Sequence, residues 1–229
     1  MYKVKFYKGN YTTRQHKANN DEAKAYVEHH FNSSSSSTAN YAVVVTGSNA
    51  SRTSKNWGRW YANAVATFFG TRVAGDNGIL VGGWNGRGDG NLKHTDMPAI
   101  LLEPLFASHP QHADIIRSES GQTELARILA ESIQRFFPDG GLIAFSVGHK
   151  YKKSSPNDRG ANLAGGGSEA DYAEKVLKKA AVMLEAIDQI GIARTLRVMH
   201  GDSVLFETEV DEDARIVWNP DRGLLHIPE

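Results

Sequence analysis

The chain has 229 residues, 40% of them hydrophobic, which is enough for one sizeable core plus a small extension and too apolar for a disordered segment. Twenty-six basic and 26 acidic side chains leave a formal net charge of zero, so no broad positive field exists to hold a phosphate backbone, which argues against a nucleic-acid partner. There is no cysteine, so disulfides and thiolate metal sites are excluded and only His, Asp and Glu remain as metal ligands.

At the N-terminus, "MYKVKFYKGNYTTRQHK" lacks the apolar centre of a signal peptide, and no run in the chain is long enough to span a bilayer. The expectation is a protein made in the cytoplasm without a secretion signal and without a membrane span. Strands are predicted at 2–7, 24–31, 41–46, 78–82, 99–103 and 142–147, where short apolar runs are bounded by polar or turn residues. Between them, Trp57, Trp60, Tyr61, Ala64, Val65 and Phe68 fall on one helical face, as do Leu125, Ile128, Leu129, Ile133 and Phe136. A third helix begins at "SEAD", where Ser168 and Asp171 have capping-box spacing, and continues through Val176, Leu177, Ala180, Leu184 and Ile187. Such alternation predicts an α/β fold, a mainly parallel central sheet flanked by helices on both faces. "NSSSSS" (32–37) reads as a mobile loop or lid, and "PDGG" (138–141) as an exposed joint. Beyond residue 191 the helical period ends, and 192–229 reads as a small C-terminal β extension of two or three antiparallel strands, packed on the same domain, with "DED" (211–213) as a turn.

Four groups could carry chemistry. His149 follows the apolar strand "LIAFSV", and ligands of open α/β sheets sit just beyond the carboxyl ends of such strands; a loop histidine bonded to a carbonyl is the structural alternative. Glu169 opens the third helix, and steps of four and seven reach Ala173 and Val176 on its apolar face. Its carboxylate therefore points inward and needs a cation or a paired donor, unless it simply answers the helix dipole. In "KAYVEHHF", Tyr26, Glu28 and His30 share one face, while Val27, His29 and Phe31 share the other. His29, among apolar neighbours, reads as core and His30 as the ligand. Two imidazoles and one carboxylate with a fourth position free is a usual set for catalytic zinc. Glu103 ends the apolar run "AILLE" and fits either a structural ion pair or a general base beside a metal-bound water. His94, His109, His112, His200 and His226 read as surface or loop residues.

These pieces resemble the zinc-dependent N-acetylmuramoyl-L-alanine amidases of the type-3 group. "VGHK", "DRGAN" (158–162) and "GGGSEAD" (165–171) match that family's opening Gly-His, its Asp-x-Gly-Ala loop and its helix with an early ligand Glu. "RQHKAN" (14–19) and "HFN" (30–32) match its Arg-x-x-x-Ala-Asn and His-x-Asn, and "MPAILLEPLFASHP" with "TELARILAESIQRFF" matches its closing strand and helix. The order is rotated, as in a circular permutation joined near 138–141, with residues 1–191 as the catalytic domain; surface-exposed termini make such a change tolerable. Leu105 stands where the family usually has Gly, His109 where Asn is usual, and "EHHFN" where small or apolar residues are commoner.

The resemblance implies hydrolysis of the amide between N-acetylmuramic acid and L-alanine in peptidoglycan. It implies one Zn²⁺ on His149, Glu169 and His30, with Glu103 as the acid-base group. Arg14, Asn32 and Asp158 are implied to orient the imidazoles or touch substrate. Action at the cell wall follows, and a phage or prophage lysin would account for the missing signal. A zinc exopeptidase acting on free peptides and a non-catalytic wall-binding module remain the alternatives.

Overall fold

The computed structural model describes residues 1–190, 194–200, 203–210, 217–219 and 224–226, with side chains through residue 186. Its elements run β1 (Tyr2–Phe6), α1 (Tyr11–Asn20), β2 (Ala25–His29), β3 (Tyr41–Thr46), α2 (Arg52–Phe69), β4 (Arg72–Val73), β5 (Ile79–Val81), β6 (Gly83–Trp84), β7 (Arg87–Gly88), a 3-10 turn (Asp89–Asn91), β8 (Ala99–Glu103), α3 (Pro110–Arg117), α4 (Glu119–Phe136), β9 (Gly141–Val147) and α5 (Glu169–Ile190). Every strand expected in the first 147 residues is present to within two residues at either end.

The main sheet has the order β1-β9-β2-β8-β3-β4, with β5 also paired to β3. Strands β1, β9, β2 and β8 are mutually parallel, β3 runs antiparallel to β8, and β4 and β5 follow the direction of β3. The sheet is thus mixed, with a parallel centre. Burial on both faces is why β8 and β9 read as near-continuous apolar runs rather than alternating ones.

Alternation along β2 separates two cores. Ala25 and Val27 join Ala42, Val44, Ile100, Leu102, Ile143 and Phe145 under residues of α2, α3, α4 and α5. Tyr26, Val45, Leu101 and Ala144 face the other way, under Ala18 of α1 and Leu92. Trp57 is fully buried and donates its indole N–H to Ser132 Oγ at 2.9 Å, fixing α2 against α4. Ser51 caps α2 by accepting from the Ser54 amide, and Gly70 ends it in the left-handed conformation.

Helices α1 and α3 were not foreseen as elements. The buried residues of α1 are Arg14, Gln15 and Ala18, so its inward stripe is polar and carries no hydrophobic period. The serine stretch is a loop anchored at its start: the Ser34 amide donates to Ser108 Oγ at 3.0 Å, and Asn32 bridges to Phe106.

Residues Met1–Glu185 form one compact unit and Ala186–Glu229 a second. In the second, β10 (Arg194–His200) pairs antiparallel with β11 (Ser203–Val210), and β12 (Val217–Asn219) with β13 (Leu224–His226). The expected turn at 211–213 lies outside the described residues.

Candidate metal centre

Strands β2 and β9 are parallel neighbours in a register that sets His29 opposite Val147. The residues just past their carboxyl ends, His30 and His149, therefore emerge side by side, with ring centroids 4.9 Å apart. Glu169, the first residue of α5 and almost fully buried, completes the group. His30 Nδ1 lies 3.2 Å from Glu169 Oε1, and His149 Nε2 lies 3.2 Å from the same oxygen. One ligand atom from each of the three residues falls within 4.8 Å of the other two. The group could hold a metal ion.

The backbone is shaped to allow this. A Cβ on Gly148 would stand 2.4–2.5 Å from three atoms of the His30 ring. His149 itself has φ 61°, an uncommon conformation for a non-glycine residue and one that tends to persist at functional sites. Ser168 accepts from the Asp171 amide at the start of α5, which leaves Glu169 free to turn inward.

Each of the three side chains is held from behind. His149 Nδ1 lies 3.0 Å from both oxygens of Asp158, which is itself fixed by Lys152 Nζ at 2.7 Å and the Gly160 amide at 3.0 Å. His30 Nε2 lies 2.9 Å from Glu28 Oε1. Glu169 Oε2 accepts from the Ala161 amide at 2.7 Å. Burial alone would raise the Glu169 pKa, but hydrogen bonds from and the charges of His149 and His30 bring it down to about 2. Burial likewise opposes charge on His30, yet Glu169 and Glu28 raise it to about 10. The three side chains thus form a buried, mutually hydrogen-bonded group that could hold a cation.

Glu103, at the carboxyl end of β8, is one strand over: the His30 amide donates to Leu102 O at 2.9 Å. Burial raises the Glu103 pKa, with Glu169 adding to the rise and His30, Arg87 and His149 opposing it. A partly exposed carboxyl of raised pKa beside the triad suits proton transfer.

Among the other expected residues, Arg14 is fully buried but reaches no ligand. It donates to Gly9 O, Ser146 Oγ, Val147 O and Lys150 O, so it pins the turn that carries His149. Asn32 accepts from the Ser33 amide through its side chain. His29 faces the apolar core beside Phe31, and burial lowers its pKa to about 3. His112 is a buried residue of α3 that accepts from the Phe106 amide, not a surface histidine. His200 and His226 fall within β10 and β13. Sequence reasoning did not single out Glu28 as a partner of His30, although its two-residue spacing on the same strand face was the available signal.

The family model for N-acetylmuramoyl-L-alanine amidases (Amidase_3) matches residues 3–135, more than half of the chain. The chain belongs to this amidase family. Among solved structures, it is similar to the catalytic domain of the amidase CwlV from Bacillus (Paenibacillus) polymyxa var. colistinus, at 27% identity over 56% of this chain and 66% of that one, with a TM-score of 0.47. The N-acetylmuramoyl-L-alanine amidase of Clostridium difficile 630 is 25% identical over 58% of this chain and 67% of that one, with a TM-score of 0.49. The chain thus spans about two thirds of these structures. Comparison with curated proteins finds no match. Among the described residues, no helix is long and apolar enough to cross a membrane.

Proposed function

We propose that this member of the amidase family hydrolyses the amide between the lactyl group of N-acetylmuramic acid and L-alanine in peptidoglycan, with one zinc ion held by His30, His149 and Glu169. The observation that carries the reading is the convergence of these three donors within 4.8 Å at the ends of adjacent strands, in a chain of this family. The donor set fits zinc: two imidazoles, each backed by a carboxylate on its other nitrogen, and one carboxylate oriented by a backbone amide. His149 offers Nε2 and His30 offers Nδ1.

Zinc bound there supplies a Lewis acid for the scissile carbonyl and makes water more acidic. Glu103 takes a proton from the attacking water as its oxygen bonds to the carbonyl carbon. Glu103 then delivers that proton to the alanine nitrogen as the carbon–nitrogen bond breaks, leaving a lactyl carboxyl group and an amine; the second water proton, left on the carboxyl group, passes to the amine or to solvent. Its raised pKa brings accepting and donating closer in energy near neutral pH. Asp158 holds the His149 ring by Nδ1, and Arg14 holds the backbone from which that ring projects.

We also infer that the catalytic segments stand in rotated order. The family match ends at residue 135, while His149 and Glu169 lie beyond it, after the turn at 137–140. Digestion of purified sacculi followed by mass spectrometry tests the activity. New alanine amino termini with intact glycan strands are the expected products, and Glu103→Gln should keep its zinc while losing about 10²–10⁴-fold in rate. Intact lactyl-alanine bonds after treatment with zinc-loaded protein, or an equally active Gln variant, would overturn the reading.

A further inference from the structure

Glu28 is a fully buried carboxylate at the sheet centre, and the reaction outlined above does not use it. An isolated charge there would be costly, so its surroundings must repay desolvation. Four side chains do so. His30 Nε2 is 2.9 Å from Oε1, Asn91 Nδ2 donates to the same oxygen at 2.5 Å, and the Ser146 and Tyr26 hydroxyls donate to Oε2 at 3.0 and 3.2 Å. The fully buried Arg14 guanidinium stands 3.7 Å from Oε2 and donates to the same Ser146 hydroxyl. These groups come from α1, β2, β9 and the 3-10 turn, so the carboxylate is fixed from several sides of the fold.

We propose that Glu28 is the positioning residue that selects the zinc-facing nitrogen of His30. By accepting the Nε2 proton, the carboxylate commits His30 to its Nδ1 lone pair, the nitrogen that lies 3.2 Å from Glu169 Oε1. Asp158 does the reverse for His149, accepting from Nδ1 and leaving Nε2. The two imidazoles thus present different nitrogens to one point, each set by a carboxylate of its own. The Arg14 charge keeps the Glu28 carboxylate from being left unbalanced, which links the pin of the His149 turn to the orientation of His30.

This inference rests on the zinc reading, and zinc binding itself is the measurement. Glu28→Asp keeps the charge opposite Arg14 but withdraws the carboxylate by about 1.5 Å, one carbon–carbon bond, and so breaks the bond to His30. The expected results are a zinc dissociation constant raised 10–100-fold and loss of the sharp His30 Nε2–H resonance that the zinc-loaded wild type should show by NMR. Glu28→Gln is the second variant. It keeps the length and withdraws the charge, and at least a tenfold weakening is expected. Ser132→Ala, which removes a partner of Trp57 and none of Glu28's, should bind zinc within threefold of the wild type. If the wild type takes up no zinc, the metal reading falls and this inference with it. If the wild type binds, but whichever Glu28 variant folds binds equally well with the His30 resonance intact, this inference alone is overturned.

Discussion

Replacing Gly148 by alanine tests the architecture of the site with a single methyl group. Gly148 does not occupy the left-handed region, so alanine there carries no backbone penalty, and its amide bond to His29 O at 2.9 Å can persist. What changes is space. The new Cβ would sit 2.4 Å from His30 Cε1 and 2.5 Å from each ring nitrogen, whereas ordinary contact begins near 3.4 Å. The ring must therefore retreat by about 1 Å, and Glu28, 2.9 Å from its far nitrogen, resists the retreat. Ligand distances in metal sites hold to about 0.2 Å, so a shift several times larger should weaken zinc binding at least 10–100-fold, or about 1.4–2.7 kcal/mol. Equilibrium titration against a chromophoric chelator measures this, with circular dichroism confirming that the sheet is intact. A folded Gly148→Ala protein that binds zinc within twofold of the wild type would refute the reasoning, because the imidazole would then not be where the site requires it.

Three further outcomes follow from the same contacts. Because zinc would bind the assembled triad and not the unfolded chain, zinc at a thousand times its dissociation constant should stabilise the fold by about 4 kcal/mol, visible as a raised melting temperature that chelator reverses. Ser132→Ala strands the buried Trp57 indole N–H and should lower stability by about 1–3 kcal/mol in urea unfolding, with no change in zinc affinity. Burial would raise the Glu174 pKa, but bonds from Lys150 and Tyr151 hold it at about 2, below its ordinary 4.5. Its contribution is therefore complete above pH 4.5 and lost as pH falls toward 2. Glu174→Gln should flatten the acid side of the stability profile in that window, by at most about 3 kcal/mol before solvent screening.

The sheet centre was legible because parallel strands covered on both faces must be apolar throughout, and β9 and β8 carry that mark plainly. The choice between adjacent histidines was legible too, since a period of two sends His29 into the core and His30 out of it. Helix α1 was not legible, because it turns Arg14 and Gln15 inward to bond with Ser146 and the Gly90 carbonyl, partners more than 70 residues away. Glu28 was half legible. Its spacing put it on the His30 face, but only the fold brings Asn91 and Ser146 to it and makes a buried charge tenable there.

Order along the chain matters little to such a site, and the geometry shows why. What the triad needs is that β2 and β9 be neighbours in one register, with the N-terminus of α5 set against their ends. That adjacency is indifferent to which strand comes first. The rotated order inferred above moves its cost to the joint, where Phe137 caps α4 and the Gly140 and Gly141 backbone turns at positive φ within 2.8 Å of the first residue's carbonyl. Both glycines are needed, since a Cβ at Gly140 would stand 2.5 Å from that carbonyl oxygen and one at Gly141 2.6 Å from the Lys24 side chain. A joint this tight is compatible with the site because it lies at the start of β9, a full strand away from His149 at the other end.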